Sequence, residues 1–278
     1  MRNMLDYMQN NIGVFRNFIN QLEKLVYELE AQFPSPKPAP VGDNFFVFRH
    51  DKEHRSDVLA SYLKIVRIVS LLNASTCLIE KGFYQEVYIL CRAIDEAVED
   101  ITFLALPIEE NGASKKQIEW LEEFYQEQLS NPTDALSSTS RKRVGRKEIR
   151  AAISNLPIRS SDPHTRRKTT GAIHDILSGF VHGAYVFIME LFGGRVPKFH
   201  MCGMFGTPRT VECMSNFENH LYRSIAIFES VAHRSERVEL ALKAMKLGCD
   251  FAEMTKCLDE EEIQRLKSRI ARSSLRPD

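Results

Sequence analysis

The sequence predicts an all-α protein, a helical bundle with long antiparallel core helices. Apolar residues recur at spacings of three and four along most of the chain, which is the period of a helix with one buried face. Hydrophobic residues make up 44% of the 278 residues, enough for a sizeable core. The chain shows no internal repeat and no alternation of strand and helix patterns, which disfavours a parallel sheet. We therefore expect a bundle with an N-terminal helical arm and a small irregular or β-hairpin insertion near 195–213.

The first 33 residues have the pattern of a single helix. Its apolar positions are Phe15, Phe18, Ile19, Leu22, Leu25, Val26 and Leu29. The segment PSPKPAP follows, and its closely spaced prolines must break the helix and form a stiff, extended connector. Residues 1–40 are thus predicted to be an arm that packs on the body of the protein or on a second subunit.

Two long helices form the predicted centre of the body. Residues 56–81 are apolar on nearly every face, which is typical of a central helix. Gly82 stands where helices commonly end, and Pro107 closes a second helix over 83–106. Together they predict an antiparallel helical hairpin.

The rest of the chain is predicted to be mostly helical. Its expected helices are 115–129, a basic helix 141–155, then 166–192, 214–247 and 260–272. We expect the bundle domain to span 41–250, followed by a C-terminal helix and basic tail over 251–278.

The overall charge does not point to a partner, because 37 basic residues balance 37 acidic ones. The six cysteines form no CxxC pair, which favours a reducing compartment. The N-terminus lacks the apolar core of a signal peptide, and no run of about 18 apolar residues suggests a membrane span. We therefore expect a cytoplasmic protein without a membrane partner.

The distribution of charge is uneven. Acids dominate residues 95–134, and Lys and Arg dominate residues 141–168. This asymmetry has two interpretations: internal pairing between neighbouring helices, or a basic face that binds nucleic acid. The second interpretation predicts a nucleic-acid-binding set consisting of Arg141, Lys142, Arg143, Arg146, Lys147 and Arg150.

The stretch HDILSGFVHGAY, residues 174–185, places a polar row within an apolar segment. At about 100° per residue, one stripe of the helix carries His174, Asp175, Ser178, His182 and Tyr185. Histidine is suited to proton transfer near neutral pH. The stripe is therefore either a catalytic or ligand-binding wall, or a solvated or internally satisfied polar face. Gly179 and Gly183 indicate close approach of another helix.

A second polar face lies on the helix over 83–106. Arg92 and Glu96 are four residues apart and can pair on it, beside Asp95 and Glu99. A solvated charged face is the simplest interpretation. If the face turned inward instead, the Arg–Glu pair would hold a polar site inside the bundle.

The sequence predicts neither a metal nor a cofactor. It has no paired Glu-x-x-His motif of di-iron bundles, no glycine-rich phosphate loop and no G-x-S-x-G elbow. His200, Cys202 and Cys213 offer three soft ligands without a suitably spaced fourth.

The two polar helices resemble a group of helical bacterial proteins of unknown function. The resemblance rests on a Gly-aromatic start, Leu-x-Arg-x-x-x-Glu, and later Leu-Ser-x-x-Val-His-Gly. Here the motif positions are Gly82, Phe83, Leu90, Arg92 and Glu96, then Leu177, Ser178, Val181, His182 and Gly183. That group is similar in build to the HEPN domains, which are common in toxin–antitoxin and phage-defence systems.

The resemblance implies an endoribonuclease that needs no metal and that acts as a homodimer. HEPN nucleases carry an Arg-x4-6-His motif, and Arg167 with His174 is the best-placed pair, on the helix over 166–192. The candidate catalytic residues are accordingly His182, His174, Ser178, Arg92, Glu96 and Arg167. The alternative is a non-catalytic structural or sensing module, which dimerises or docks on a partner protein and in which Ser178 and His182 only connect helices.

Overall fold

The protein is all-α, as the sequence predicts. The computed structural model describes residues 2–41, 45–107, 114–131, 134, 136–140, 143–156 and 162–274. Within these ranges, ten α-helices accompany two small antiparallel strand pairs and one 3₁₀ turn, Lys52–His54. The elements are α1 (Arg2–Glu30), β1 (Lys37–Val41), β2 (Phe45–Arg49), α2 (Asp57–Lys81), α3 (Tyr84–Leu104), α4 (Lys115–Tyr125), α5 (Arg146–Ser154), α6 (Pro163–Val181), α7 (Tyr185–Met189), β3 (Phe192–Gly193), β4 (Lys198–Phe199), α8 (Pro208–Arg234), α9 (Val238–Thr255) and α10 (Glu260–Ser274).

The N-terminal arm packs on the body. Its apolar stripe lies in the same core as side chains of α2, α3, α8 and α9. The rings of Phe15 and Phe217 meet edge to face at 5.3 Å, and those of Phe18 and Phe251 at 5.0 Å. Helix α1 is therefore an integral layer of the bundle, and α9 continues through residue 250.

The proline-rich connector is extended, as predicted, and part of it also forms strand β1, which the sequence did not suggest. Strand β1 pairs with β2 in antiparallel register, with Lys37 opposite Arg49. Pro38 and Pro40 are two residues apart, so both nitrogens point to the outer edge of the hairpin. The N–H groups of the alternate residues remain available to β2.

Helices α2 and α3 form the predicted antiparallel hairpin, and Gly82 ends α2 as expected. Gly82 has φ +75°, and a Cβ placed there would lie 2.1 Å from the backbone nitrogen of Phe205. The Met204 N–H donates to the Gly82 carbonyl at 2.9 Å. The loop before α8 thus lies directly against the α2–α3 turn.

Two predicted helices are each divided. The helix expected over 166–192 ends at Val181 and resumes at Tyr185, with Gly183 at φ +59° between them. A Cβ on Gly179 would lie 2.1 Å from the Phe187 ring, so α7 folds back onto α6. The helix expected over 214–247 is α8 and α9, which a turn at Glu236 (φ 58°) separates. Around the predicted insertion, the β3–β4 hairpin starts at Phe192 and α8 already begins at Pro208.

Helix α2 has the packing of a core helix. It is the one helix of the described residues that is long and apolar enough to cross a membrane, and half of its most apolar window is buried inside the bundle. Its apolar faces contact α1, α3 and α8.

We predict that Gly82→Ala destabilises the protein by about 2 kcal/mol or more, because alanine is strained at this φ and its methyl group overlaps the adjacent loop. Gly171→Ala is the matched control. Gly171 lies inside α6, and apart from its chain neighbours and the adjacent backbone of its own helix no atom lies within 4 Å of the position that an alanine methyl group would take, so this change should stabilise the helix by up to about 1 kcal/mol. Urea unfolding measures both, and equal effects would contradict the close approach at Gly82.

Candidate functional site

The charged face of α3 turns inward, so its interpretation as a solvated face was wrong. Asp95, Glu99 and Asp100 are all buried, and Asp100 is 0% exposed. Buried carboxylates require paired cations and hydrogen bonds. Helices α2, α4, α5, α6 and α8 each supply a side chain to this face.

Asp100 is the most completely buried of these acids. Arg146 donates to both its oxygens, at 2.6 and 3.1 Å, from Nη1 and Nη2. The Lys64 ammonium lies 2.7 Å away, and the indole N–H of Trp120 donates at 3.2 Å. Asp100 thereby joins α3 to α2, α4 and α5.

Glu99 lies one position earlier and pairs mainly with Arg150. The Arg150 Nε donates to Glu99 Oε1 at 2.9 Å, and Arg146 is 4.0 Å from Oε2. Burial raises the pKa of Glu99, and the attraction of the two guanidinium groups only partly offsets that rise. Arg146 and Arg150 therefore pair with acids inside the molecule. These pairs agree with the internal-pairing interpretation of the uneven charge.

Three predicted catalytic residues converge on the next part of this face. Arg92 donates to Glu96 at 3.2 Å, and His174 Nε2 lies 3.9 Å from the same carboxylate oxygen. Burial, and then the charge of Arg150, lower the pKa of His174. Its imidazole is thus neutral near pH 7, and within the described residues its Nε2 has no hydrogen-bond partner. A neutral imidazole beside a guanidinium can accept a proton next to a developing negative charge.

The same face ends in a cluster that sequence reasoning missed. Asp95 accepts a hydrogen bond from Arg223 at 2.6 Å and lies 3.4 Å from His220 Nε2. Burial lowers the pKa of His220, but the neighbouring Cys91 and Asp95 outweigh this effect and raise the pKa to about 10. The i, i+3 spacing of His220 and Arg223 on a predicted helix was the available signal, but nothing local connected it to residue 95.

The other predicted residues do not join this convergence. Ser178 is half-buried, and within the described ranges its side chain makes no hydrogen bond to the cluster; His182 is exposed at the C-terminal cap of α6. Arg167 is exposed, whereas its proposed partner His174 is buried. The two residues lie seven positions apart on α6, two turns from each other.

The predicted nucleic-acid-binding set is also divided. Arg141 and Lys142 lie outside the described residues. Arg143 is paired with Glu123 at 3.3 Å, and Lys147 is exposed. With Arg146 and Arg150 paired to α3, Lys147 alone of the described members points to solvent without an acidic partner in the described part of the chain.

Metal-ligating side chains gather in one place among the described residues. Asp51, Glu53 and His54 bring their ligand atoms within 4.8 Å of one another on the surface. Asp51 already pairs with Lys37 at 2.5 Å. His200, Cys202 and Cys213 do not form such a group; the His200 ring contacts the Gly193 carbonyl at 2.9 Å.

The apolar side of α6 and the segment after it are exposed. Because His174 and Leu177 face inward, Ile173 and Ile176 face outward. Of 23 exposed large hydrophobic side chains in the described residues, 11 lie within 173–201. We call these 11 the apolar surface: Ile173, Ile176, Val181, Tyr185, Val186, Ile188, Met189, Phe192, Val196, Phe199 and Met201.

A groove of about 320 Å³ adjoins the apolar surface between α3, α6 and α8. Ile173 and Ile176 belong to both features. The rings of Tyr88 and Phe180 stack at 4.6 Å along its wall, and His220 lies at its polar end. The groove offers an apolar recess that a protruding side chain can enter.

We predict that Arg150→Ala lowers the free energy of unfolding by about 2 kcal/mol, because it leaves the buried Glu99 with only the distant Arg146. Lys147→Ala on the same helix should change stability by less than about 0.5 kcal/mol. Urea denaturation of both variants checks this. Similar small effects would contradict the assignment of Arg150 to the internal network.

We predict that protonation of His174 destabilises the fold. Its folded pKa is below the unfolded value, so its contribution is complete above about pH 6.5 and is lost as the pH falls through that value, where the unfolded chain takes up the proton first. His174→Gln should therefore lose less stability than the wild type between pH 7 and pH 5. Chemical denaturation at each pH measures the free energy of unfolding. If it fell equally with pH in the wild type and in His174→Gln, that result would contradict a buried, neutral His174.

The site is thus an inward-facing charged face on α3 with one titratable cluster, Arg92–Glu96–His174, and beside it lies an exposed apolar surface on α6 and α7. Comparisons of the chain with protein-family models, with curated proteins and with solved structures found no match.

Proposed function

We propose that the protein is a HEPN-like helical module that works as a homodimer, in which the apolar surface of one copy packs against the same surface of a second copy. The observation that carries this proposal is the concentration of 11 exposed large hydrophobic side chains within 173–201. Exposed apolar patches beyond a few hundred Å² mark interaction sites.

The size of the apolar surface suits a stable dimer. Its members are 36–81% exposed. The three aromatic members bury about 150–250 Å² each when fully covered and the eight aliphatic members bury less, so the 11 partly exposed side chains together offer on the order of 1000 Å². A standard interface covers about 800 Å² on each partner. The apolar surface alone is therefore large enough for one such contact.

The flanking charges favour a second copy over an unrelated partner. Asp175 lies beside Ile176, Arg195 lies in the β3–β4 turn and Lys198 begins β4; all three are exposed. A two-fold axis brings each part of a surface against a different part of its copy. Charges of both signs on one surface are self-complementary in that arrangement, whereas a strongly basic or acidic rim would select an oppositely charged partner.

We predict that the wild type is a dimer at micromolar concentration and that the double variant Tyr185→Glu, Val186→Glu is a folded monomer. Both side chains are exposed, 76% and 63%, so the charges oppose association without entering the core. Multi-angle light scattering and far-UV circular dichroism measure mass and fold. Phe46→Glu, at a 62% exposed position on β2, is the control and should remain dimeric. A monomeric wild type, or equal dissociation by the control, would overturn the proposal.

RNA cleavage without a metal ion is the second candidate function, and the convergence of Arg92, Glu96 and His174 supports it. Neutral His174 would take the proton of a ribose 2′-hydroxyl. The 2′-oxygen then attacks the adjacent phosphorus, and the 5′-oxygen leaves and takes a proton from water. Arg92 would stabilise the charge on the phosphoryl oxygens. In this proposal the protein acts in the cytoplasm within a toxin or phage-defence system.

For this second candidate we predict cleavage of total RNA that persists in EDTA and falls by about 100-fold or more, a typical general-base contribution, in His174→Ala. His182→Ala is the control, because His182 is exposed outside the cluster, and it should keep its activity. Denaturing gels resolve the products. Intact RNA at high protein concentration would exclude this function and leave the dimeric module standing.

A further inference from the structure

A cleft of about 530 Å³ lies between the C-terminal half of α1, the connector into β1, and α2. It is distant in sequence from the apolar surface and from the charged face of α3. Its apolar floor includes Val26, Leu63, Val66 and Val69. Its volume is within the range of about 300–1000 Å³ that is usual for small-molecule sites.

The charge of the cleft has one sign. Two carboxylates, Glu23 and Glu30, line it, and among the described residues no Lys or Arg does. Across the described part of the chain, neither carboxylate forms an ion pair, although most other acids in this bundle are paired. The ring nitrogen Nδ1 of His50, also in the lining, is buried without a hydrogen-bond partner among the described residues. An incoming cation would therefore meet two carboxylates without a basic partner among the described residues, one of which, Glu30, is hydrogen-bonded to Tyr62, and an unused polar atom.

Aromatic rings surround these carboxylates. Tyr27, Phe33 and Tyr62 line the cleft, and Phe33 stacks on Tyr62 with centroids 4.7 Å apart. Burial is the main cause that raises the pKa of Tyr62, and the charge of Glu30 and a hydrogen bond to Glu30 add to it. The faces of aromatic rings attract ammonium groups and also accept the alkyl carbons beside them.

The spacing of the lining residues on α1 defines a length. Glu23, Tyr27 and Glu30 follow the i, i+4, i+7 order, so they lie on one face of the helix with the aromatic ring between the acids. Seven residues at about 1.5 Å each separate the two acids by about 10 Å. One compact cation cannot reach both carboxylates at once, whereas an extended molecule with a charge at each end can.

We propose that the α1–α2 cleft binds a linear aliphatic diamine or polyamine, with one terminal ammonium at Glu23, the other at Glu30, and the methylene chain against Tyr27 and the apolar floor. This inference is independent of the dimer and of RNA cleavage. The chain-length requirement distinguishes it from general attraction of cations to an acidic surface.

The first experiment is isothermal titration calorimetry of the full-length protein at low salt with 1,8-diaminooctane. Its ammonium groups are nine bonds apart, about 11 Å at about 1.2 Å per bond of an extended chain. We expect it to bind at least tenfold more tightly than 1,3-diaminopropane, which is too short, and than octylamine, which has one charge. 1,8-Octanediol, which has the same length without charge, should not bind measurably. Equal affinities along this series, or no binding by the diamine at millimolar concentration, would overturn the proposal.

The second experiment tests the two acids. Glu23→Gln and Glu30→Gln should each weaken 1,8-diaminooctane binding by about fivefold to tenfold, as expected for one charge-assisted contact, and should remove its advantage over octylamine. Glu28→Gln is the matched control. It lies on the same helix outside the cleft, where it pairs with Lys243, and it changes the net charge equally. An equal loss in this control, with thermal unfolding unchanged in all three variants, would show that the cleft is not the binding site.

Discussion

The buried acidic face of α3 is the constraint on which the arrangement of the surrounding helices depends. A carboxylate without solvent costs several kcal/mol unless cations and donors replace the water. Asp100, which is 0% exposed, obtains them from Lys64, Arg146 and Trp120 on three different helices. Each partner is thereby held at a fixed position along the axis of α3. The short helices α4 and α5 also share a small apolar cluster with the end of α3, which contains Trp120 and Ile149, and the ionic contacts add a fixed position along α3.

The same constraint explains why α6 exposes its apolar side. Glu96 lies 3.9 Å from His174, which turns the histidine side of α6 toward α3 and leaves Ile173 and Ile176 outside. The sequence alone left both orientations open, although an amphipathic helix usually buries its apolar stripe. A helix can bury only one of its faces against α3, and here that face carries the neutral His174 and Leu177. The exposed stripe is part of the surface on which we propose that a second copy packs.

Much of the fold could be predicted from the sequence, because periodicity and terminators are local signals. Gly82 and the apolar segment 56–81 predicted the central hairpin correctly. The break at Gly183 was missed because its cause is tertiary: Phe187 folds back over Gly179. The β1–β2 pairing was missed because prolines normally disfavour strands, and only their alternate spacing makes an edge strand acceptable.

The candidate site could be predicted in part. Arg92 and Glu96 were visible through their i, i+4 spacing, and the histidine stripe on α6 through its helical period. The sequence did not indicate which stripe faces inward, because a charged face has the same period whether water or another helix covers it. The pairing of Asp95 with His220 and Arg223 spans about 125 residues, and no local pattern encodes such a contact. For the same reason, the sequence predicted that Arg146 and Arg150 could bind nucleic acid, and their acidic partners inside the molecule were not evident from it.

The central claim is that the acids of α3 are held by cations inside the bundle, and a double-mutant cycle between Asp100→Asn and Arg146→Met tests it most directly. The free energies of unfolding of the wild type, the two single variants and the double variant, measured in urea at neutral pH, give the coupling between the two side chains. A buried, bidentate pair predicts a coupling of about 2 kcal/mol or more. A coupling below about 0.5 kcal/mol, within the range of independent sites, would contradict the buried network.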